Sequence, residues 1–182
     1  YASSYMDVTV LYSDRVENIR HRNADWFEKG EGGFREVQLT GIASVGDENL
    51  CLDVLPWLKK KYDVIVIGGY SSPTAILAMA YLRLRGIPFY MEVDGGLIRQ
   101  DSRLKHFVKK SLVCMADRWL STGYHTTRYL VHYGAKEERV QQYPFSSLYE
   151  KDILEKVLTR EEKEACRMVL GIEEKHMVLA IG

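Results

Sequence analysis

Residues 62–73 read Tyr62-Asp63-Val64-Ile65-Val66-Ile67-Gly68-Gly69-Tyr70-Ser71-Ser72-Pro73, and the fold turns on them. Val64, Ile65, Val66 and Ile67 form a short unbroken apolar run rich in β-branched side chains, which predicts a strand covered on both faces, as in parallel sheets. A helix should follow. Ser72 is suited to cap its free N–H groups, Pro73 to occupy the first helical position, and Gly86 to end it after Ile76, Leu77, Met79, Ala80, Leu82 and Leu84. Residues 89–93 (Phe89-Tyr90-Met91-Glu92-Val93) then predict a second strand, so the unit is βαβ with a right-handed connection. Both strands run into glycine pairs, Gly68-Gly69 and Gly95-Gly96. In open α/β sheets ligands sit outside the carboxyl ends of the strands, so any function is expected there.

The totals set bounds around this unit. A chain of 182 residues suits one well-buried domain rather than two ordinary ones. Lys plus Arg and Asp plus Glu both number 25, and this neutrality argues against a nucleic-acid partner. No apolar run approaches the roughly 20 residues of a spanning helix, and no signal peptide is visible, so the reading is a soluble protein, at most peripheral. Cys51, Cys114 and Cys166 are an odd, widely spaced set among apolar neighbours, expected to be buried reduced thiols of a cytoplasmic protein.

Further elements can be placed on either side. A strand is expected at 8–12 and another at 34–39, with Trp26 and Phe27 anchoring the polar stretch between them. Gly30 and Gly32 begin a G-x-G pattern, but Arg35 stands where the last glycine of a dinucleotide fingerprint belongs, so the segment reads as a turn. A helix interrupted by Pro56 is expected over 49–60. Another should start at Asp101 or Ser102, its apolar face made of Leu104, Phe107, Val108, Leu112 and Met115. Its remaining positions carry Arg103, Lys105, His106, Lys109 and Lys110, which read either as a solvated face or as a surface for anionic lipid. Strands at 118–122 and 140–143 flank a short helix stopped by Gly134. Helices at 150–157 and 160–170 follow, the second with a Thr159/Glu162 capping box and Gly171 at its end, and a strand is expected at 176–182. Strands alternating with helices from residue 62 onward predict an α/β fold, a mostly parallel Rossmann-like sheet between helical layers.

Candidate chemistry gathers at the strand ends. Glu92 and Asp94 share one strand face with Tyr90 by the period of two. A carboxylate within a covered strand is costly unless paired, so Glu92 calls for an ion pair, an edge position or a hydroxylated ligand. Asp94, before two glycines, either forms an Asp-Gly turn or accepts hydrogen bonds from sugar hydroxyls. Gly68, Gly69, Gly95 and Gly96 would let a ligand approach backbone N–H groups, and Ser71 and Ser72 add hydroxyls at a helix start, although tight turns alone would explain the glycines. His125 follows Gly123 at a third strand end and suits either helix entry or a base whose partner the sequence does not reveal. Metal-ligand spacing, a nucleophile elbow and a phosphate loop of the G-x-x-x-x-G-K type are all lacking.

Several strings, in order, resemble the amino-terminal domain of a bacterial family 4 (group 1) glycosyltransferase of the capsular or exopolysaccharide type. They are Met6-Asp7-Val8-Thr9-Val10-Leu11-Tyr12-Ser13, the stretch 62–74, Asp94-Gly95-Gly96, Leu120-Ser121-Thr122-Gly123, Tyr129-Leu130-Val131-His132-Tyr133-Gly134-Ala135 and Tyr143-Pro144-Phe145-Ser146-Ser147-Leu148. The resemblance implies the GT-B architecture, with an acceptor-side domain over 1–174 lacking its first strand. Residues 175–182 would then be the linker end and the first strand of a donor-binding domain. It implies retaining transfer from a nucleotide-sugar donor to a glycan or lipid-linked acceptor, with no metal or cofactor, in the cytoplasm or at the inner face of the membrane. Asp94 is the implied catalytic contact, with Gly68, Gly69, Tyr70, Ser71, Ser72, Glu92, Gly95, Gly96, Thr122, Gly123, His125, Phe145 and Ser146 around the substrates. A sugar-nucleotide epimerase shares the architecture, and a non-catalytic module that binds a glycan or a membrane surface is the rival from another class.

Overall fold

The computed structural model describes residues 5–13, 34–45, 48–143 and 156–172. The chain divides into two compact units, Tyr1–Pro144 and Phe145–Gly182. The expected helix at 150–157, the expected strand at 176–182, Trp26, Phe27 and the glycines at 30–33 lie outside or largely outside the described residues, as do Phe145 and Ser146.

In the first unit, β1 (Thr9–Tyr12) pairs in parallel with β2 (Arg35–Gln38), and β3 (Ala43–Val45) pairs antiparallel with β4 (Glu48–Leu50). The main sheet has four parallel strands in the order β5 (Val66–Gly68), β6 (Tyr90–Val93), β7 (Arg118–Ser121) and β8 (Val140–Gln142). Register places Gly68 opposite Glu92, Val93 opposite Ser121, and Ser121 opposite Gln142. Helices fill the crossovers: α1 (Val54–Leu58) precedes β5, α2 (Pro73–Leu84) joins β5 to β6, α3 (Arg103–Val113) joins β6 to β7, and α4 (Tyr124–His132) leads to β8. This is the α/β arrangement expected of a Rossmann-like fold.

Local chemistry explains α2 at both ends. The Ser72 hydroxyl accepts a hydrogen bond from the Ala75 N–H at 3.1 Å, Pro73 opens the helix, and Gly86 closes it at φ 66°. Ser72→Ala should destabilise the unit by about 1 kcal/mol, readable as a lower urea midpoint. The inward face of α2 delivers Ala78, Met79 and Leu82 to a core that also takes Phe89 from just before β6, Met91 from β6, Val113 from α3, Trp119 from β7, and Leu130 and Tyr133 from α4 and its end. The Trp119 indole donates to the Val113 carbonyl at 3.1 Å, so the large buried ring keeps its polar atom satisfied.

Four expectations are corrected. The strand at 64–67 is covered on one face only: Ile65 and Ile67 pack on the core while Val64 and Val66 are exposed, and among the described residues β5 has one strand neighbour, β6. The helix expected over 49–60 is confined to α1, since Asn49 and Leu50 are taken into the β3–β4 hairpin. Leu104, Phe107 and Val108 of α3 are exposed, and the helix turns Val113 to the core instead, with Leu112 partly buried. Cys51 is buried as expected, whereas Cys114 and Cys166 are exposed, the one at the end of α3 and the other on a polar helix of the second unit.

That helix, α5 (Arg160–Val169), lies within the described residues 156–172 of the second unit. Its capping box is formed: the Glu162 N–H donates to the Thr159 hydroxyl at 3.2 Å and the Thr159 N–H donates to the Glu162 carboxylate at 2.7 Å.

Candidate functional site

Because β5 to β8 are all parallel, their carboxyl ends lie along one rim, and the segments that follow β5, β6 and β7 start from it. The rim is tied across strands. The Gly69 N–H donates to the Glu92 carbonyl at 2.8 Å, the Gly95 N–H to the Thr122 hydroxyl at 3.4 Å, and the Tyr143 N–H to the Ser121 carbonyl at 2.9 Å. Ser121 and Thr127 share a hydroxyl hydrogen bond of 2.7 Å, and the Gln142 side chain donates to Thr127 at 3.0 Å. These bonds fix the start of α4 against β7 and β8.

Glu92 lies on an interior strand and accepts a hydrogen bond of 2.5 Å from the Tyr143 hydroxyl. An internal phenol therefore answers the cost of the carboxylate; among the described residues Glu92 has no ion pair, and its strand is not at an edge. Burial first, then that bond, and then the charges of Glu92 and Asp94 push the Tyr143 phenol up to about 12. Asp94 thus lies within electrostatic reach of Tyr143, and it is exposed on the rim.

Beside these groups is an open hollow of about 340 Å³ lined by Gly96, Leu97, Ile98, His125 and Arg128. His125 and Arg128 are three residues apart on α4 and so share a helix face. The sequence singled out Gly96 and His125; Arg128 was detectable only through that spacing, and Leu97 and Ile98 carried no signal. Ser71 is exposed on the rim, Ser72 is committed to its cap, Thr122 holds Gly95, and Gly68, Gly69 and Gly123 shape the turns, so these residues frame the rim without lining the hollow.

Behind the hollow runs a polar network that sequence reading missed. The Tyr70 and Tyr129 hydroxyls are hydrogen bonded, and burial, followed by that bond, raises the Tyr70 phenol. Lys109 sits 5.7 Å from the Tyr129 ring centre and 5.0 Å from that of Tyr133. Its ammonium donates to the Asp101 carboxylate at 2.8 Å and to the Tyr133 hydroxyl at 3.3 Å, while Tyr133 itself donates to Asp101. The Lys109 bond first, and the Tyr133 bond second, hold Asp101 down at about 2. The Asp101 bond in turn raises Lys109.

No family model, curated protein or solved structure matches this chain.

Among the described residues, no three His, Cys, Asp or Glu side chains are grouped so as to hold a metal ion. The available chemistry is an exposed carboxylate at Asp94, an imidazole and a guanidinium at His125 and Arg128, and backbone N–H groups near glycines. Such a set can accept bonds from hydroxyls on one side and attract an anionic group on the other.

Proposed function

We propose that this chain is the acceptor-side domain of a retaining GT-B glycosyltransferase that moves a sugar from a nucleotide-sugar donor to a glycan or lipid-linked acceptor in surface polysaccharide synthesis. The supporting observation is the rim itself: parallel strands bring the Asp94 carboxylate, paired glycines and the His125/Arg128 hollow to one edge of one sheet. In this reading Asp94 accepts a hydrogen bond from a sugar hydroxyl, and Gly95 and Gly96 allow the sugar close to the backbone. The donor and its departing phosphate belong to a facing domain, and catalysis comes from orientation and from stabilising the leaving group. The protein works in the cytoplasm, at the inner face of the membrane. Among the described residues no helix is long and apolar enough to cross a membrane.

Asp94→Asn in the two-domain protein should lower donor turnover at least about tenfold, the loss of one charge-assisted hydrogen bond in the transition state. Turnover equal to wild type would remove Asp94 from the mechanism. Product analysis with acceptor omitted separates transfer from epimerisation: an epimerase converts the donor sugar alone, whereas a transferase needs the acceptor to build a glycoside.

A further inference from the structure

The outer face of α3 is apolar and open. Leu104 is 74% exposed, Phe107 67% and Val108 47%, and Leu97 and Ile98 on the approach to the helix are exposed as well. Isolated exposed apolar side chains are common, but three on one helix stripe with two more just upstream call for an explanation. Residues 104, 107 and 108 are spaced i, i+3, i+4 and so form one stripe. On the same wheel Arg103 and Lys110 border the stripe on one side and Lys105 on the other.

The charges of this face are polarised although the chain as a whole is neutral. Asp101 is taken by Lys109 at 2.8 Å and by Lys105 at 3.5 Å. Arg103 and Lys110 have no acidic partner in the ion pairs of the described residues. His106 turns inward against the Tyr133 and His132 rings, with centres 5.1 and 5.2 Å away. The inward side of the helix is therefore satisfied, and its outward side is an apolar stripe with a cationic border.

We propose that this face of α3 rests on an anionic lipid bilayer, with Leu104, Phe107 and Val108 entering the headgroup boundary and Arg103 and Lys110 meeting lipid phosphates. An amphipathic helix of this kind lies in the interface plane, and α3, at 11 residues, is too short to cross a bilayer. Charge selects the occupant: a second copy docking its own stripe by two-fold symmetry would bring like-charged borders together, whereas anionic lipid complements them. The hollow shares Leu97 and Ile98 with the approach to this face, so docking holds its mouth near the headgroups. The lipid contact itself does not depend on the sugar-transfer reading, and its test contains no sugar.

The experiment is co-sedimentation of the chain with phosphatidylcholine vesicles, with and without phosphatidylglycerol, at low and high salt. Pelleting should require phosphatidylglycerol and weaken at high salt. Arg103→Glu and Lys110→Glu should each lower binding at least about fivefold, and the Leu104→Ser/Phe107→Ser pair about tenfold at either salt. Circular dichroism and melting should be unchanged because all four positions are exposed. The proposal is overturned if the folded chain fails to pellet with anionic vesicles, binds neutral ones equally well, or binds as tightly after these substitutions. It is equally overturned if the chain is a dimer in solution that Phe107→Ser converts to a monomer without any vesicle binding, which would make the stripe a self-association face.

Discussion

Gly96→Ala is expected to destabilise the first unit by about 3 kcal/mol or more and to abolish the hollow's present shape. Two costs combine at this position. Gly96 has φ 150°, a conformation that side-chain-bearing residues rarely adopt, and forcing one there costs on the order of 1–3 kcal/mol. A Cβ on Gly96 would also stand 2.7 Å from Cγ of Tyr129, and overpacking of this kind adds about 1–3 kcal/mol. The ring has little room to retreat: Tyr129 is buried, its hydroxyl is bonded to Tyr70, and Lys109 lies over its face. Gly95→Ala is the control. Gly95 has φ 80°, but a Cβ there meets nothing within 4 Å, so only the backbone cost of about 1 kcal/mol applies. Urea unfolding of the two variants separates space from φ. Equal midpoints would mean that Tyr129 yields and that the wall behind Gly96 is soft.

The same residues show what was legible in the sequence. Helix α2 could be read almost residue by residue because its signals are local: Ser72, Pro73 and Gly86 act within one turn of their own backbone. The strand at β5 was legible as a strand but not as one with an exposed face, since what covers a face is a tertiary property that Val64 and Val66 cannot report. For α3 the wheel admitted two answers, because Leu104, Phe107 and Val108 form a stripe on one side while His106, Lys109 and Val113 form another. The second wins because Asp101 and Tyr133 receive Lys109 from outside the helix. The β3–β4 hairpin was missed although the dipeptide Gly46-Asp47 has, as sequence, the Gly-X composition that favours a two-residue hairpin loop. In the candidate site, residues next to strand ends were found and their partners were not. Tyr143 reaches Glu92 across 51 positions and Tyr133 reaches Asp101 across 32, separations that leave no local pattern.

Tyr133→Phe should cost about 1–3 kcal/mol at neutral pH while leaving the ring packing intact, because it removes a fully buried hydroxyl that donates to Asp101 and accepts from Lys109. The pH dependence of this network identifies it. Asp101 is held at about 2, below its ordinary 3.8, chiefly by Lys109 and then by Tyr133. A depressed carboxyl pKa means that the unfolded chain binds the proton first, so the contribution of Asp101 is fully present above 3.8 and fades as pH falls toward about 2. Urea midpoints of wild type and Asp101→Asn should accordingly differ most near neutrality and converge in acid. Tyr133→Phe should leave the start of that convergence near 3.8 and bring its end to a higher pH, because one of the two bonds holding the folded-state carboxylate ionised is gone. A difference that stays constant from neutrality into acid would show that Asp101 contributes packing and not charge. Convergence would tie the acid response to the hollow as well: Asp101 anchors Lys109, Lys109 covers Tyr129, and Tyr129 is the wall that keeps residue 96 a glycine.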